Sequence, residues 1–146
     1  MKLYLTVNRP IPNTYIGIDL AQQKIDFGNL DPICERAECT EMVLDGMLSY
    51  FLITKIPDLL LQLVTRLRKG GKLIIKDVEI NEVIKMYSNG QLNIYDLNTI
   101  LFGDERLNKR AAYSRFDIEQ ALTQLGLQIV SIEISSINYT LITQRV

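Results

Sequence analysis

The sequence predicts an α/β fold, on three observations. Short β-rich runs alternate with segments of helical apolar spacing through the first three-quarters of the chain, the pattern of strands joined by helical crossovers. The run "KLIIKDV" has few solvent-facing positions, as a strand inside a parallel sheet requires. After Gly126 the chain closes with two alternating runs, "LQIVSIEI" and "INYTLITQRV", which predict an antiparallel pair at the end of the sheet. The expected architecture is three-layered: a mainly parallel sheet of about six or seven strands, covered on both faces, with an antiparallel C-terminal strand.

Each element has its own local warrant. "LYLTV" and "YIGID" are the first two strands, separated by "NRPIPN", whose two prolines fix φ and deny the loop backbone donors. "IDFGNLDPI" is punctuated by Gly28 and Pro32, so a brief third strand near Lys24 to Phe27 and then a turn are expected. "TEMVLDG" is the fourth strand, ending in Asp45-Gly46. From Pro57, with Thr54 as a cap, "PDLLLQLVTRLRK" sets Leu59, Leu60, Leu63, Val64 and Leu67 on one helical stripe. Gly70-Gly71 stops that helix, and "KLIIKDV" leaves the turn as a strand. "EINEVIKMYS" and "NIYDLNTILF" are two further helices, ended near Gly90 and Gly103. "SRFDIEQALTQLG" opens on a serine or aspartate cap and stops at Gly126. Its stripe Ile118, Ala121, Leu122 and Leu125 is core and leads into a buried strand.

A chain of 146 residues is the usual size of one domain and buries a core without disulfides or metals. One domain over residues 1–146 is expected. The net charge of −1, from 16 basic and 17 acidic residues, gives no global attraction to nucleic acid or anionic membrane. No apolar run approaches the ~20 residues of a membrane span, and the N-terminus lacks a secretory pattern, so a cytoplasmic protein is expected. Cys34 and Cys39 are the only cysteines and histidine is absent, so two reduced thiols are expected, which could complete a tetrahedral zinc site only with several carboxylates. In such sheets ligands bind beyond the C-terminal strand ends, at the topological switch point. The ends of strands one, two and four therefore converge near Val7, Asp19 and Asp45.

"RLRKGGKLIIKDV" resembles the helix, "LkpGG" turn and fifth strand of class I S-adenosylmethionine-dependent methyltransferases, and "LFGDERLNKRAAYSRFDIEQALTQLGLQIVSIEI" is similar to their C-terminal segment. "KLYLTVNRPIPNTYIGIDL" resembles the opening of small bacterial and phage members, in which the first crossover helix is reduced to a loop. "TEMVLDGMLSYF" resembles their fourth strand and the "vLEHf" segment after it. The resemblance implies a methyltransferase-like, Rossmann-like fold with S-adenosylmethionine as cofactor and a small-molecule or sugar-like methyl acceptor. It implies a first loop that packs glycine-rich backbone against the methionine end of the cofactor.

The matching positions here are Leu5, Thr6, Val7 and Asn8, and the Cβ branches of Thr6 and Val7 with the rigid Pro10 and Pro12 oppose that approach. The loop is expected to be filled by its own side chains, leaving weak or no affinity for the cofactor. Asp19 stands where the family binds the ribose hydroxyls, a geometry that suits two carboxylate oxygens; a strand-end turn is the other reading. Asp26 falls near the adenine-side aspartate, though "IDFGN" is also turn composition.

The family's Glu-His pair corresponds to Ser49-Tyr50, and without histidine no imidazole serves as general base. Asp45, Tyr50 or Asp77 could orient a nucleophile, with Glu79 beside them, although capping of the next helix also explains Asp77. Arg106, Lys109, Arg110 and Arg115 form a basic run over the same sheet end, suited to a phosphate or carboxylate or to plain solvation. Aromatic residues are too sparse there for nucleic-acid stacking. Three functions remain open: a small methyltransferase, a catalytically silent relative acting as a binding or structural subunit in a hetero- or homo-oligomer, and a nucleotide-binding module.

Overall fold

A computed structural model describes residues 1–104 and 108–146. The strands are β1 (Lys2–Thr6), β2 (Ile16–Asp19), β3 (Cys39–Asp45), β4 (Leu67–Val78), β5 (Leu127–Ser135) and β6 (Asn138–Arg145). The α-helices are α1 (Ile56–Arg66), α2 (Ile80–Ser88), α3 (Ile94–Phe102) and α4 (Arg115–Gln124). One six-stranded sheet runs in the order β2-β1-β3-β4-β6-β5. The first four strands are parallel, and β6 inserts antiparallel between β4 and β5. β4 thus lies in the interior, as its apolar run predicts.

Alternation decides what each strand buries. Leu3, Leu5, Met42, Leu44, Leu73, Ile75, Tyr139 and Leu141 share one cluster with the buried stripes of α1 and α4, Leu59, Leu60, Leu63, Ile118 and Leu122 among them. At the β1–β2 end, the Pro10–Tyr15 loop lies over the sheet. Tyr15 packs edge-on against Tyr4, with ring centroids 5.4 Å apart. Ile11 sits so close over Gly17 that a Cβ there would come within 2.3 Å of its methyl carbon. The loop is therefore seated, not loose.

Several local expectations change. Lys24–Phe27 forms no strand, because Asp26 accepts the Gly28 amide at 2.8 Å and closes a turn there instead. The N-cap of α1 is Lys55, not Thr54, and Pro57 sits in the first turn. α1 ends at Arg66, and Leu67 already pairs with Cys39 in β4, because a bulge carries the strand past the Gly70 turn. α2 is capped by Glu79, whose side chain accepts from the Asn81 amide at 3.2 Å, so Asp77 is released from that role. α4 takes Ser114 as its cap, in a capping box with Asp117. The strand after α4 is not buried: β5 hides only Leu127 and is an open edge.

Candidate functional site

Register brings the candidate residues together. Thr6 pairs with Asp19 on one side and with Asp45 on the other, and Asp45 pairs in turn with Lys76, one residue before Asp77. The C-terminal ends of four parallel strands therefore lie level, with the reversal of strand order between β1 and its two neighbours. That is the switch point at which such sheets hold ligands.

Asp19 holds the tip of β1. Its Oδ1 accepts the Asn8 amide at 2.8 Å and the Ala21 amide at 2.9 Å. Asn8 takes a left-handed φ of 54°, a conformation that asparagine tolerates better than most side chains. Thr6 is buried and donates its hydroxyl to the Asp45 carbonyl at 2.9 Å, while Val7 joins the core. The loop thus turns as a glycine loop would, with side chains where the backbone would be bare.

Asp45 is the hub. It accepts from Tyr4 Oη at 2.5 Å and from Arg9 Nη1 at 2.6 Å. Burial, reinforced by the Asp45 bond, pushes the Tyr4 hydroxyl well above the usual phenol range. Arg9 reaches across the strand ends because the residue after Asp45 is Gly46, at φ 67°: a Cβ there would fall 2.6 Å from the guanidinium carbon. The glycine that the first loop lacks stands at the end of β3, and what it admits is an arginine.

Tyr50 and Asp77 border the same end. The pKa of Tyr50 is raised chiefly by burial, against the opposing charge of Arg9. Asp77 is buried and its pKa is raised for the same reason, the Val78 amide, the Tyr113 hydroxyl, Lys109 and Arg9 not offsetting the burial. Val78 donates to its Oδ1 at 2.8 Å, while the Tyr113 hydroxyl stands near the carboxylate without completing a well-formed hydrogen bond to Oδ2. Asp26 lies on a cleft of about 340 Å³ lined also by Phe27, Phe51, Lys55 and Leu59. Phe27 and Phe51 meet edge to face, with centroids 5.4 Å apart.

Of the basic run, Arg115 is structural, paired with Glu79 and Glu119. Lys109 is held on the Ile100 carbonyl at 3.0 Å, and Arg110 is exposed. Arg106 lies outside the described residues. The cysteines are buried free thiols, their sulfurs 3.4 Å apart. Among the described residues no group of three or more acidic, cysteine or histidine side chains could hold a metal, and no helix is long and apolar enough to cross a membrane.

Comparison of the whole backbone with solved structures decides the fold. A S-adenosylmethionine-dependent methyltransferase from Archaeoglobus fulgidus superposes with a TM-score of 0.63 over 99% of this chain and 86% of its own, at 10% identity. The chain has the class I methyltransferase fold. Human N-acetylserotonin methyltransferase, solved with S-adenosylmethionine, gives 0.62 over 98% of this chain and 40% of its own, at 14% identity. Magnesium protoporphyrin IX methyltransferase from Synechocystis, solved with S-adenosylhomocysteine, gives 0.54 over 90% and 51%, at 14% identity. The chain thus spans about half or less of the length of several methyltransferases it matches. No family model matches the sequence, and no curated protein is significantly similar to it.

Gly46, Tyr4 and the Phe27–Phe51 pair were not marked by the sequence as site residues, and Arg9 was not singled out within its loop. The Asp45-Gly46 dipeptide at a strand end was the one available signal, since a glycine beside a candidate carboxylate implies close approach of something else.

Proposed function

We propose that this methyltransferase-fold chain binds the nucleoside end of S-adenosylmethionine and serves a small-molecule or sugar-like acceptor, with Arg9 closing the methionyl half of the site. The Arg9–Asp45 ion pair carries this reading. The cofactor fits the residues unequally. Asp19 Oδ2 is engaged by nothing among the described residues and can accept a ribose hydroxyl, while the Phe27–Phe51 cleft offers aromatic walls of a size for adenine. The methionyl half does not fit while Arg9 lies on Gly46, because guanidinium and sulfonium would compete for one carboxylate.

When bound, S-adenosylmethionine supplies an electrophilic methyl group. The chain's part would be positioning: Asp19 on the ribose, Asp45 at the strand tip, and Tyr50 with Asp77 toward the acceptor. The same ion pair favours a second reading, a silent binding or structural subunit in which the crevice stays shut. Calorimetry on the wild type with adenosine, S-adenosylhomocysteine and S-adenosylmethionine separates them. Adenosine and the homocysteine form should bind, and S-adenosylmethionine most weakly of the cofactor pair. Heat from none of the three leaves the silent subunit; equal low-micromolar binding of both cofactor forms removes the closed half-site.

A further inference from the structure

Cys34 and Cys39 stand at the two feet of one surface loop. The four residues between them, 35–38, are all exposed, while both cysteines are buried. Their sulfurs are 3.4 Å apart. Free cysteines bury readily as small apolar groups, which accounts for either one alone and not for two sulfurs in contact across a loop. Both feet are fixed. Cys39 opens β3, where it pairs with Leu67 of β4. Cys34 donates its amide to the Leu30 carbonyl at 3.0 Å, and its own carbonyl accepts from Arg66 Nη1 at 3.0 Å. Between them the chain is pinched: Glu35 donates its amide to Glu38 Oε2 at 2.7 Å, and Ala37 takes a left-handed φ of 58°, a conformation costly for alanine.

The two thiols are unequal. Burial raises the pKa of both, Cys39 to about 12, where its hydrogen bond to Cys34 adds to the effect. At Cys34 the same bond and the charge of Arg66 oppose burial. Arg66 is itself buried, and its Nε has no partner among the described residues, so a cation with a donor to spare adjoins Cys34. Its counter-ion Asp31 is 71% exposed and screened by solvent. We infer that Cys34 and Cys39 are a modification site, a dithiol that a small peroxide converts to an intrachain disulfide with Cys34 as the attacking sulfur. The sulfurs have only to close from 3.4 Å to the roughly 2 Å of a disulfide.

The Cys34 thiolate attacks one peroxide oxygen. The O–O bond breaks, the other oxygen leaves with the thiol's proton as water or an alcohol, and Cys34 becomes a sulfenic acid. The Cys39 sulfur then attacks the Cys34 sulfur, an S–S bond replaces the S–O bond, and water leaves with the Cys39 proton. The pair loses two electrons and the peroxide gains them. Access is by local opening of the loop, which is tied down by the Ala37 amide on the Thr65 carbonyl at 3.1 Å and by the N-terminal ammonium on the Glu38 carbonyl at 3.3 Å. A thiol reductant reverses the bridge by exchange. Closed, the bridge fixes one end of residues 20–38, a connection without helix or strand that carries Asp26 and Phe27 on the aromatic cleft.

The test treats the native protein with hydrogen peroxide, quenches with catalase, and reads the free thiols after unfolding together with a peptide map. The wild type should lose both thiols. Trypsin cuts after Lys24, Arg36 and Lys55, so peptides 25–36 and 37–55 should appear as one linked species that dithiothreitol separates. Cys39→Ser should stop at a Cys34 sulfenic acid, which dimedone traps, and Cys34→Ser should oxidise roughly tenfold more slowly than Cys39→Ser. The bridged protein should melt above the reduced one by about 4–8 °C; an equal or lower melting temperature would show that the fold is not built for the bridge. Two thiols still free in the treated wild type, or a disulfide only between chains, overturns the site. Equal rates in the two serine variants refute Cys34 as the attacking sulfur, and if neither variant folds, the linked wild-type peptides decide alone.

Discussion

Replacing Arg9 with alanine should strengthen binding of S-adenosylmethionine more than of S-adenosylhomocysteine. The sulfonium carries a positive charge that the thioether lacks, and the wild-type crevice already holds the Arg9 guanidinium at 2.6 Å from Asp45. Two unit charges about 5 Å apart repel by roughly 1–3 kcal/mol at effective dielectrics of about 80 to 20. Arg9 is 47% exposed, so the screened end applies, about 1 kcal/mol or about fivefold in affinity. Both ligands gain from the vacated volume; only the sulfonium also gains from the vacated charge. Paired calorimetric titrations of wild type and variant give the ratio directly, and Arg9→Gln, which keeps most of the bulk, should shift the ratio while restoring less of the space. Losing a half-exposed ion pair costs about 0.5–1 kcal/mol of stability, so the variant remains folded for the measurement. A ratio of the two affinities unchanged between wild type and Arg9→Ala refutes the electrostatic argument.

Three further outcomes are expected. Asp19→Ala removes the acceptor of the Asn8 and Ala21 amides and should lower stability by about 2 kcal/mol; a melting temperature equal to wild type would show that Asp19 does not hold the loop, and adenosine binding should weaken at least tenfold in the same variant. Burial raises the pKa of Asp77, so the native chain binds a proton that the unfolded chain releases. This contribution is fully present below the unfolded pKa and is lost as pH rises through the native one. Asp77→Asn should therefore melt like wild type near about pH 4 and higher at about pH 8, by about 3 °C for each kcal/mol relieved; a lower melting point at pH 8 contradicts it. Burial pushes the Cys39 thiol up to about 12 and raises Cys34 above its ordinary value, so iodoacetamide at about pH 8 should label the native protein at least tenfold more slowly than the unfolded chain. Rapid native labelling would mean that the pair opens.

The fold was legible where periodicity and punctuation agreed. Gly70-Gly71 before an apolar run, and Gly126 before two alternating runs, marked β4, β5 and β6 well enough to give a closing antiparallel pair, though not the insertion of β6 between β4 and β5. Leu67 misled because it fits the helical stripe of α1 and the pleat of β4 equally, and only pairing with Cys39 resolves the choice. Ile25 and Phe27 look like strand residues, yet they serve as packing for a turn. Burial along β5 was misjudged because alternation reports a strand but not whether anything covers it. At the site, Asp19 and Asp45 were legible from their place at strand tips. Arg9 was not, since a long side chain reaching over two strands leaves no trace in local spacing, and the proline-rich loop around it reads only as rigid.

Strand β5 sets how the molecule behaves in company. Ile129, Val130, Ile132 and Ile134 are all at least 36% exposed on a strand whose outer edge is unpaired among the described residues, with Glu133 the one charge among its nine residues. A bulge between Ile129 and Ser131 breaks the regularity of that edge, which hinders in-register addition of another chain. Protection of this edge therefore rests on a single carboxylate and one irregular step in the backbone. Substitutions that replace Glu133 with an apolar residue or straighten the bulge would turn the C-terminal hairpin from a tolerated solvent face into a template for aggregation, with the crevice at the ends of β1 and β3 untouched.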